Sequence, residues 1–328
     1  MRKLIDQYGR KIDYLRISVT DRCNLRCIYC MPNYGIIPKS HNEILTFEEI
    51  EKVIKAAVSL GVNKIKITGG EPLIRKGIVD LIAMLSDIEG IVDLSMTTNG
   101  IFLSEYTESL KKAGLKRINI SLDTLWEDKY KLITKMGNLN NVLEGIKKAQ
   151  EVGLFTKLNV VVIKGINDDE ILDFVEFSSL RNFCVRFIEF MPTNSSLFWE
   201  VEKFISMNEV KKRCEDFVTL EQTKVFGSGP AEYYKIIGSE GKIGFISPFS
   251  YQFCSRCSRL RLTSDGKLRG CLHNGYEIDL RKTLRMYASS EEVGKLIKRS
   301  VLSKPKGHCM KLMETNNHLS QIMCQIGG

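Results

Sequence analysis

The sequence predicts an α/β fold: a partial (β/α)6 barrel of the TIM type, with a smaller C-terminal region that closes it. Strand-like and helix-like patterns alternate from about residue 14 to residue 191. Such alternation is typical of parallel strands joined by right-handed crossovers. Six units are present rather than eight, and the connections have the length of helices rather than of hairpin turns.

The composition is that of a globular protein with a basic excess. The 328 residues include 48 Lys and Arg against 39 Asp and Glu, and 43% are hydrophobic, which excludes a disordered or collagen-like chain. No apolar run approaches the roughly 18 to 20 residues of a membrane-spanning helix. The charged N-terminal segment lacks the apolar stretch of a secretory signal. We therefore expect a cytoplasmic protein without a membrane partner, and the net charge of +9 fits an anionic ligand.

The first elements can be placed in order. A strand is expected near 15–19, and Thr46 with Glu49 forms a capping box that begins a helix ended by Gly61. The last helix of the series is expected to open at Asn167, with Glu170 three residues on. Further helices are expected near 77–86, 104–113, 141–152 and 168–180, and further strands near 64–68, 92–97, 117–122, 157–163 and 184–190.

Polar residues occupy one face of each of the first five strands. Helices must cover the apolar face, so the polar face lines the lumen. A lumen lined with Arg16, Lys66 and Lys157 cannot be dry, because an unpaired buried charge costs several kcal/mol, and we expect it to hold a polar, anionic ligand. An antiparallel sheet with one wet face is the alternative. The polar set is Arg16, Ser18, Thr20, Lys66, Thr68, Ser95, Thr97, Asn119, Ser121, Asp123, Lys157 and Asn159.

The pattern changes after Met191, and we divide the chain into a barrel, 1–191, and a C-terminal region, 192–328. A turn is expected at Gly227 to Pro230, strands at Tyr233–Ile237 and Lys242–Ile246, and basic helices from about 276 to 313.

Ten cysteines in a chain without a secretory signal indicate metal binding rather than disulfides. Cys23, Cys27 and Cys30 follow the first strand, at the end of the barrel where active sites lie. Three thiolates leave one iron of a four-iron cluster without a protein ligand. A structural zinc site needs a fourth ligand, and His41 is the nearest candidate.

A second group, Cys254, Cys257 and Cys271, again supplies three thiolates. Its alternative is a zinc site closed by His273. The other cysteines are expected to be small buried hydrophobic residues; they are Cys184, Cys214, Cys309 and Cys324.

The cysteine pattern of 23–30, with Tyr29 before the last cysteine, resembles the motif of the radical S-adenosylmethionine (SAM) superfamily. Thr68-Gly69-Gly70-Glu71-Pro72 resembles the second motif of that superfamily. Within it, nearly the whole chain resembles a family that cyclises GTP in the first step of molybdenum cofactor biosynthesis. The segments that carry this resemblance are Arg16–Asp21, Arg186–Met191, Cys257–Arg261, Asp265–Cys271 and the terminal Gly327-Gly328.

The resemblance implies two [4Fe-4S] clusters. The first, on Cys23, Cys27 and Cys30, binds SAM, and the second, on Cys254, Cys257 and Cys271, engages the guanine of GTP. Arg186 and Arg269 would assist the catalytic reduction, and the terminal glycines would reach into the active site. The family commonly has Arg at the position of Lys66. A lysine keeps the positive charge but cannot form the bidentate hydrogen bonds that an arginine makes to phosphate. Positions that match SAM contacts are Tyr29, Gly70, Ser121 and Met191; those that match GTP contacts are Arg16, Lys66, Thr97, Lys157, Arg259, Leu260 and Arg261.

The implied reaction is that of a lyase. A 5'-deoxyadenosyl radical from SAM takes hydrogen from ribose C3', and the C3' radical attacks guanine C8. Reduction of the resulting aminyl radical by one electron, with uptake of a proton, gives (8S)-3',8-cyclo-7,8-dihydroguanosine 5'-triphosphate. The implied partners are GTP, SAM, an electron donor such as ferredoxin or flavodoxin, a pyranopterin-forming enzyme that takes the product, and a second copy in a homodimer, with no nucleic acid. Two alternatives stay open: a peptide-modifying radical SAM maturase with an auxiliary cluster, and a basic zinc protein that binds nucleic acid.

Overall fold

The computed structural model describes residues 3–192, 198–227, 229–250, 253–308 and 322–327. Its first half is a run of strand–helix units that matches the predicted order. The elements are β1 (Tyr14–Ser18), α1 (Phe47–Ser59), β2 (Lys64–Thr68), α2 (Ile78–Ser86), β3 (Asp93–Thr98), α3 (Leu103–Lys112), β4 (Arg117–Ser121), α4 (Glu127–Thr134), α5 (Leu139–Glu151), β5 (Phe155–Val162), α6 (Ile171–Arg181) and β6 (Cys184–Glu189).

The second half has shorter strands and four more helices in its described part. The elements are α7 (Met207–Glu215), β7 (Leu220–Thr223), β8 (Glu232–Ile236), β9 (Lys242–Ile246), β10 (Arg259–Leu262), β11 (Lys267–Arg269), β12 (Glu277–Asp279), α8 (Leu280–Arg285), α9 (Ser290–Leu302) and α10 (Met323–Ile326).

One twelve-stranded sheet joins both halves, in the order β12-β11-β10-β1-β2-β3-β4-β5-β6-β9-β8-β7. The six strands β1 to β6 pair in parallel with their neighbours, so the α/β prediction is confirmed and the antiparallel alternative is wrong for the barrel. The second half extends both edges, because β10 pairs in parallel with β1 and β9 in parallel with β6. The division of the chain at Met191 stays a prediction.

The apolar faces of the strands form the main core, under the helices. Their residues are almost fully buried, with Ile17 and Ile67 at 0% exposure, and they belong to one contiguous cluster. Each such side chain contributes about 2 to 3 kcal/mol by burial. Within the described residues, no helix combines the length and apolar character needed to span a membrane.

The starts of α1 and α6 differ in how far the local sequence predicts their capping. Thr46 and Glu49 form the expected capping box at α1. The helix expected to open at Asn167 begins there as a 3-10 turn, Asp168–Glu170, which runs directly into α6 at Ile171, but the Asn167 side chain does not cap it. Asn167 instead bonds to neighbouring loops, accepting from the Ile163 N–H and donating to the carbonyl of Asp123.

Several short elements differ from expectation. Helix α4 and the strands β7, β10, β11 and β12 were not predicted, and β12 replaces the start of the basic helices expected from about 276. Residues 309–313 of that stretch lie outside the described residues. Cys184, Cys214 and Cys324 are buried as expected, while Cys309 lies outside the described residues.

Candidate active site in the barrel lumen

The polar faces of the strands line up across the sheet. Arg16 lies in register with Lys66 on one side and Arg261 on the other. Asn119 lies between Thr97 and Lys157. The predicted alternation is therefore confirmed, and the polar row forms one continuous surface opposite the apolar core.

The lumen holds cations that repel one another. Burial and the neighbouring Arg259 and Arg186 lower the pKa of Arg16 to about 10. Burial and nearby arginines hold the pKa of Lys66 well below its usual value. Burial, together with Arg186, lowers the pKa of Lys157 to about 7. An anionic ligand would relieve this repulsion, since opposite charge favours the ionised form of each group.

Arg117 is a lumen residue that the sequence analysis missed. It is fully buried at the start of β4, and its guanidinium forms a bidentate ion pair with Asp93, with Nε 2.9 Å from Oδ1 and Nη2 2.7 Å from Oδ2. The signal was present, because Arg117 stands two residues before Asn119 on the polar face of its strand. Asp93 thus neutralises one lumen cation and leaves the charge of the others.

Two more lumen cations have defined partners. Arg186 donates from Nη2 to the Asn119 side-chain oxygen at 2.6 Å. Arg269 lies 3.1 Å from a carboxylate oxygen of Glu277. Both predicted catalytic arginines are therefore buried in the lumen wall.

Lys157 contacts strand β8 and the loop that precedes it. Its Nζ donates to the carbonyl of Phe226 at 2.7 Å and to the Tyr233 hydroxyl at 3.1 Å. Leu260 differs from the other residues matched to GTP contacts, because its side chain is buried in the apolar core. Only its main chain is available to a ligand.

The first cysteine triplet lies in the loop after β1, at the C-terminal edge of the parallel strands. This loop is bound to the loop after β2 by two main-chain hydrogen bonds, from the Gly70 N–H to Thr20 and from the Glu71 N–H to Arg22. A Cβ on Gly70 would lie 2.1 Å from the Arg22 carbonyl oxygen. Glycine is therefore required for the two loops to meet.

The three thiols of this loop influence one another. Burial raises the pKa of Cys23 to about 11. Burial, with repulsion from the other two sulfur atoms, holds the pKa of Cys27 well above its usual value. Such thiols become thiolates when cationic iron offsets these costs, so the donor set fits an iron–sulfur cluster.

Within the described residues, no three His, Cys, Asp or Glu side chains converge on a single metal ion. In a four-iron cluster each thiolate binds a different iron, so the ligands surround a group instead of meeting at a point.

Residues matched to SAM contacts surround the same edge. Tyr29 donates its hydroxyl to Asp123 at 2.5 Å, and burial raises the pKa of Asp123 to about 6. Ser121, at the end of β4, and Met191, after β6, are half-buried. Glu71 of the second motif is buried and accepts from Leu73, Thr98 and Asn99, so it holds the loop together.

The second cysteine triplet lies at the opposite edge of the barrel. Strand β10 runs parallel to β1 with Arg259 beside Tyr14, so Cys254 and Cys257 precede the N-terminal edge. Strand β11 runs back antiparallel, and Cys271 follows it at the same edge. Burial raises the pKa of Cys257, but Arg259 and Lys304 outweigh burial and lower it to about 6, which favours the thiolate that iron binds.

The chain returns to the lumen near its end. Cys324 and Ile326 of α10 are buried, and the Gly327 carbonyl accepts from Arg261 Nη1 at 2.8 Å. Gly327 has φ +76°, and a Cβ there would lie 2.8 Å from Thr68 Oγ1. The predicted approach of the terminal glycines to the lumen is seen for Gly327, and Gly328 lies outside the described residues.

A partial barrel with three cysteines in the loop after its first strand, and a glycine pair bound to the start of that loop, defines a radical SAM enzyme. A model of the radical SAM superfamily matches residues 17–178, and a model described as Molybdenum Cofactor Synthesis C matches residues 183–310. SuiB of Streptococcus suis, in its crystal structure with S-adenosylmethionine, has a similar fold. Its TM-score is 0.65 at 15% identity, covering 92% of this chain and 74% of that chain.

Full-length relatives narrow the class. The GTP 3',8-cyclase of Peptoclostridium acidaminophilum is 51% identical over 327 residues, 99% of this chain and 98% of the relative. That of Alkaliphilus oremlandii is 49% identical over 98% of this chain and 99% of the relative. That of Thermodesulfovibrio yellowstonii is 52% identical over 92% of this chain and 94% of the relative. The chain belongs to the GTP 3',8-cyclase family.

Proposed function

We propose that this chain converts GTP to 3',8-cyclo-7,8-dihydro-GTP in molybdenum cofactor biosynthesis, with one [4Fe-4S] cluster on each cysteine triplet. The observation that carries the proposal is the position of the triplets at opposite edges of one basic lumen. Strand β1 has five residues, and at about 3.3 Å per residue it spans about 16 Å. We propose that SAM, bound at one edge, and GTP, bound from the other, meet within this space.

The lumen cations would bind the triphosphate of GTP. Arg16, Lys66 and Arg261 lie side by side on neighbouring strands, and burial with mutual repulsion lowers their pKa values. A triphosphate supplies the missing negative charge at this row. Arg259 extends this row of cations toward the second triplet. Thr97 and Lys157 lie on other strands of the lumen, on either side of Asn119.

Lys66 stands where the family commonly has Arg. A lysine ammonium binds phosphate as a point charge, whereas arginine offers a planar two-point fork. We propose that Arg16, beside Lys66 in the row, and Arg261, beside Arg16, supply the directional contacts while Lys66 supplies charge.

At the other edge, Tyr29, Gly70, Ser121 and Met191 would surround SAM. Cys23, Cys27 and Cys30 would hold the first cluster, which when bound would supply the one-electron reduction of SAM that the abstraction of hydrogen from ribose C3' requires. The Tyr29–Asp123 hydrogen bond fixes the loop that carries Cys27 and Cys30. The bond between Asn119 and Arg186 fixes a cation at mid-lumen, and its role would be to stabilise negative charge as the cyclised product is reduced. Arg269 would act similarly near the second triplet.

The lumen wall also excludes water. Ser95, Asn119 and Lys157 are packed into the wall with 0% exposure, and the Gly327 carbonyl accepts a hydrogen bond from Arg261. A radical formed in this space is kept from solvent, which is what the chemistry requires of the protein.

The family resemblance implies the remaining partners, the oligomeric state and the localisation. We propose ferredoxin or flavodoxin as electron donor, a pyranopterin-forming enzyme as recipient of the product, a homodimeric state and cytoplasmic localisation. The two alternative functions are not favoured, because the relatives that match the whole chain are GTP 3',8-cyclases.

The test is anaerobic incubation of iron-reconstituted protein with GTP, SAM and dithionite, followed by mass analysis of the nucleotides. The full chain should form the cyclised triphosphate. Cys30→Ala should stop SAM cleavage, and Cys257→Ala should remove about half of the iron while the first cluster remains. Full turnover by Cys30→Ala, or an unchanged iron content in Cys257→Ala, would contradict the assignment of the two triplets. Cys184→Ala, at a buried cysteine outside both triplets, is the matched control.

A further inference from the structure

The segment after α9 backs the second cysteine triplet. Residues 304–308, which we call the backing segment, contact all three ligand-bearing stretches of the chain. From these contacts we infer that Lys304 is a positioning residue for the second cluster. It ties two ligand segments together and holds a positive charge against the sulfur atoms. The inference rests on the proposed second cluster.

Lys304 is 2% exposed although it is a lysine. Its Nζ donates to the carbonyl of Arg259 at 2.9 Å and to that of Gly270 at 2.5 Å, and it lies 3.5 Å from the Cys257 sulfur. Arg259 is two residues after Cys257, and Gly270 directly precedes Cys271. One ammonium group therefore joins the strand that follows Cys257 to the turn that carries Cys271.

A glycine allows the turn before Cys271 to lie close to the backing segment. A Cβ on Gly270 would lie 3.3 Å from the Cα of Lys304 and 3.1 Å from the carbonyl oxygen of Ser300. These distances are tighter than ordinary van der Waals contact, so glycine lets the turn and the backing segment meet.

Arg10 holds the third ligand to the same segment. Its Nη1 donates to the carbonyl of Cys254 at 2.7 Å, and its Nη2 donates to that of Pro305 at 2.6 Å. The carboxylate of Asp6 fixes the guanidinium at 2.6 Å from Nε. Arg10 thus has a carboxylate partner, whereas the partners of Lys304 are two carbonyls and a thiol.

The buried ammonium of Lys304 needs a negative group nearby to compensate its charge. Within the described residues, no carboxylate lies at ion-pair distance from its Nζ. A buried ammonium needs compensating charge, and the thiolates of a cluster would supply it. A hydrogen bond from a cation to a ligand sulfur stabilises the more negative, reduced cluster and so raises its reduction potential.

The test compares Lys304→Met with Lys304→Arg and with Lys306→Met. Lys306 is exposed, so the third variant makes the same change two residues away. All three are made in the full chain with Cys23, Cys27 and Cys30 replaced by Ala, so that only the second cluster contributes. Iron content is measured by chemical iron analysis. The midpoint potential is measured by redox titration with dithionite under anaerobic conditions.

Lys304→Met should lower the ratio of reduced to oxidised cluster about tenfold at a fixed potential, a shift of about 59 mV for a one-electron couple, or should lose the iron of this site. Lys304→Arg should keep most of the parent's iron content and midpoint potential, and Lys306→Met should match the parent in both. Unchanged iron and potential in Lys304→Met would overturn the inference. So would loss of first-cluster iron by Lys304→Met in the otherwise unaltered chain, because Lys304 would then serve the fold in general.

A failure of the proposed function is separable from these results. If Cys257→Ala keeps the full iron content, the second cluster itself is absent. If Cys257→Ala loses that iron while Lys304→Met is unchanged, only the role of Lys304 is wrong.

Discussion

The Arg117–Asp93 pair gives a prediction about stability that can be worked out from the structure. The two side chains are 0% and 5% exposed, and two hydrogen bonds join them, at 2.9 and 2.7 Å. Burial lowers the pKa of Arg117, but the Asp93 carboxylate outweighs burial and raises it. Asp93→Ala would leave a buried guanidinium without its counter-charge. Breaking a buried pair in this way costs about 3 to 5 kcal/mol.

The measurement is urea unfolding of the iron-free chain under reducing conditions, where the midpoint should fall at an unchanged slope. Asp169→Ala is the matched control, since it removes a carboxylate 2.6 Å from Lys129 that is 65% exposed. An exposed pair contributes less than about 1 kcal/mol. The double variant Arg117→Met, Asp93→Leu should recover much of the stability. Equal losses in Asp93→Ala and Asp169→Ala, or no recovery in the double variant, would refute the reasoning.

The other predictions concern the lumen and the first cysteine loop. Lys66→Ala and Lys157→Ala should each weaken GTP binding at least about tenfold, since each removes a charge from the lumen; equilibrium dialysis measures this, and unchanged affinity in both would contradict the lumen assignment. Gly70→Ala should lose the first cluster while keeping the second, because its Cβ would lie 2.1 Å from the Arg22 carbonyl oxygen; iron analysis that finds both clusters intact would show that the loops can separate. Burial, with Arg186, lowers the pKa of Lys157 to about 7, below its unfolded value, so between that pH and about 10 the unfolded chain binds more protons and stability rises with pH. Lys157→Met should flatten this rise in the ligand-free protein, and an unaltered pH profile of unfolding would count against it.

Much of the barrel could be predicted because period-two patterns report directly on strands with two different faces. Leu15 and Ile17 against Arg16 and Ser18 were enough to place the lumen, and the register across the strands then follows from parallel pairing. The capping box at Thr46 was equally local. These signals depend on neighbours within a few residues.

The missed features depend on distant partners. Strand β10 is four residues long, and its pairing with β1 joins residues about 245 positions apart, such as Leu15 and Leu260. Asn167 stands at the start of the expected helical segment, but its side chain bonds to Asp123 instead of capping the first turn. Lys304 stands in a basic stretch typical of solvated helices, and only the fold shows it buried against Cys257.

The way the second half joins the sheet bears on how the chain can be divided. β9 pairs with β6, and β10 pairs with β1. A fragment ending near residue 191 would therefore expose β1 and β6 as edge strands, each with a row of unpaired main-chain amides and carbonyls. Exposed margins of this kind recruit strands from other molecules. Expressed alone, such a truncated barrel would therefore self-associate rather than stay a monomer, even though its own six strands and helices are complete.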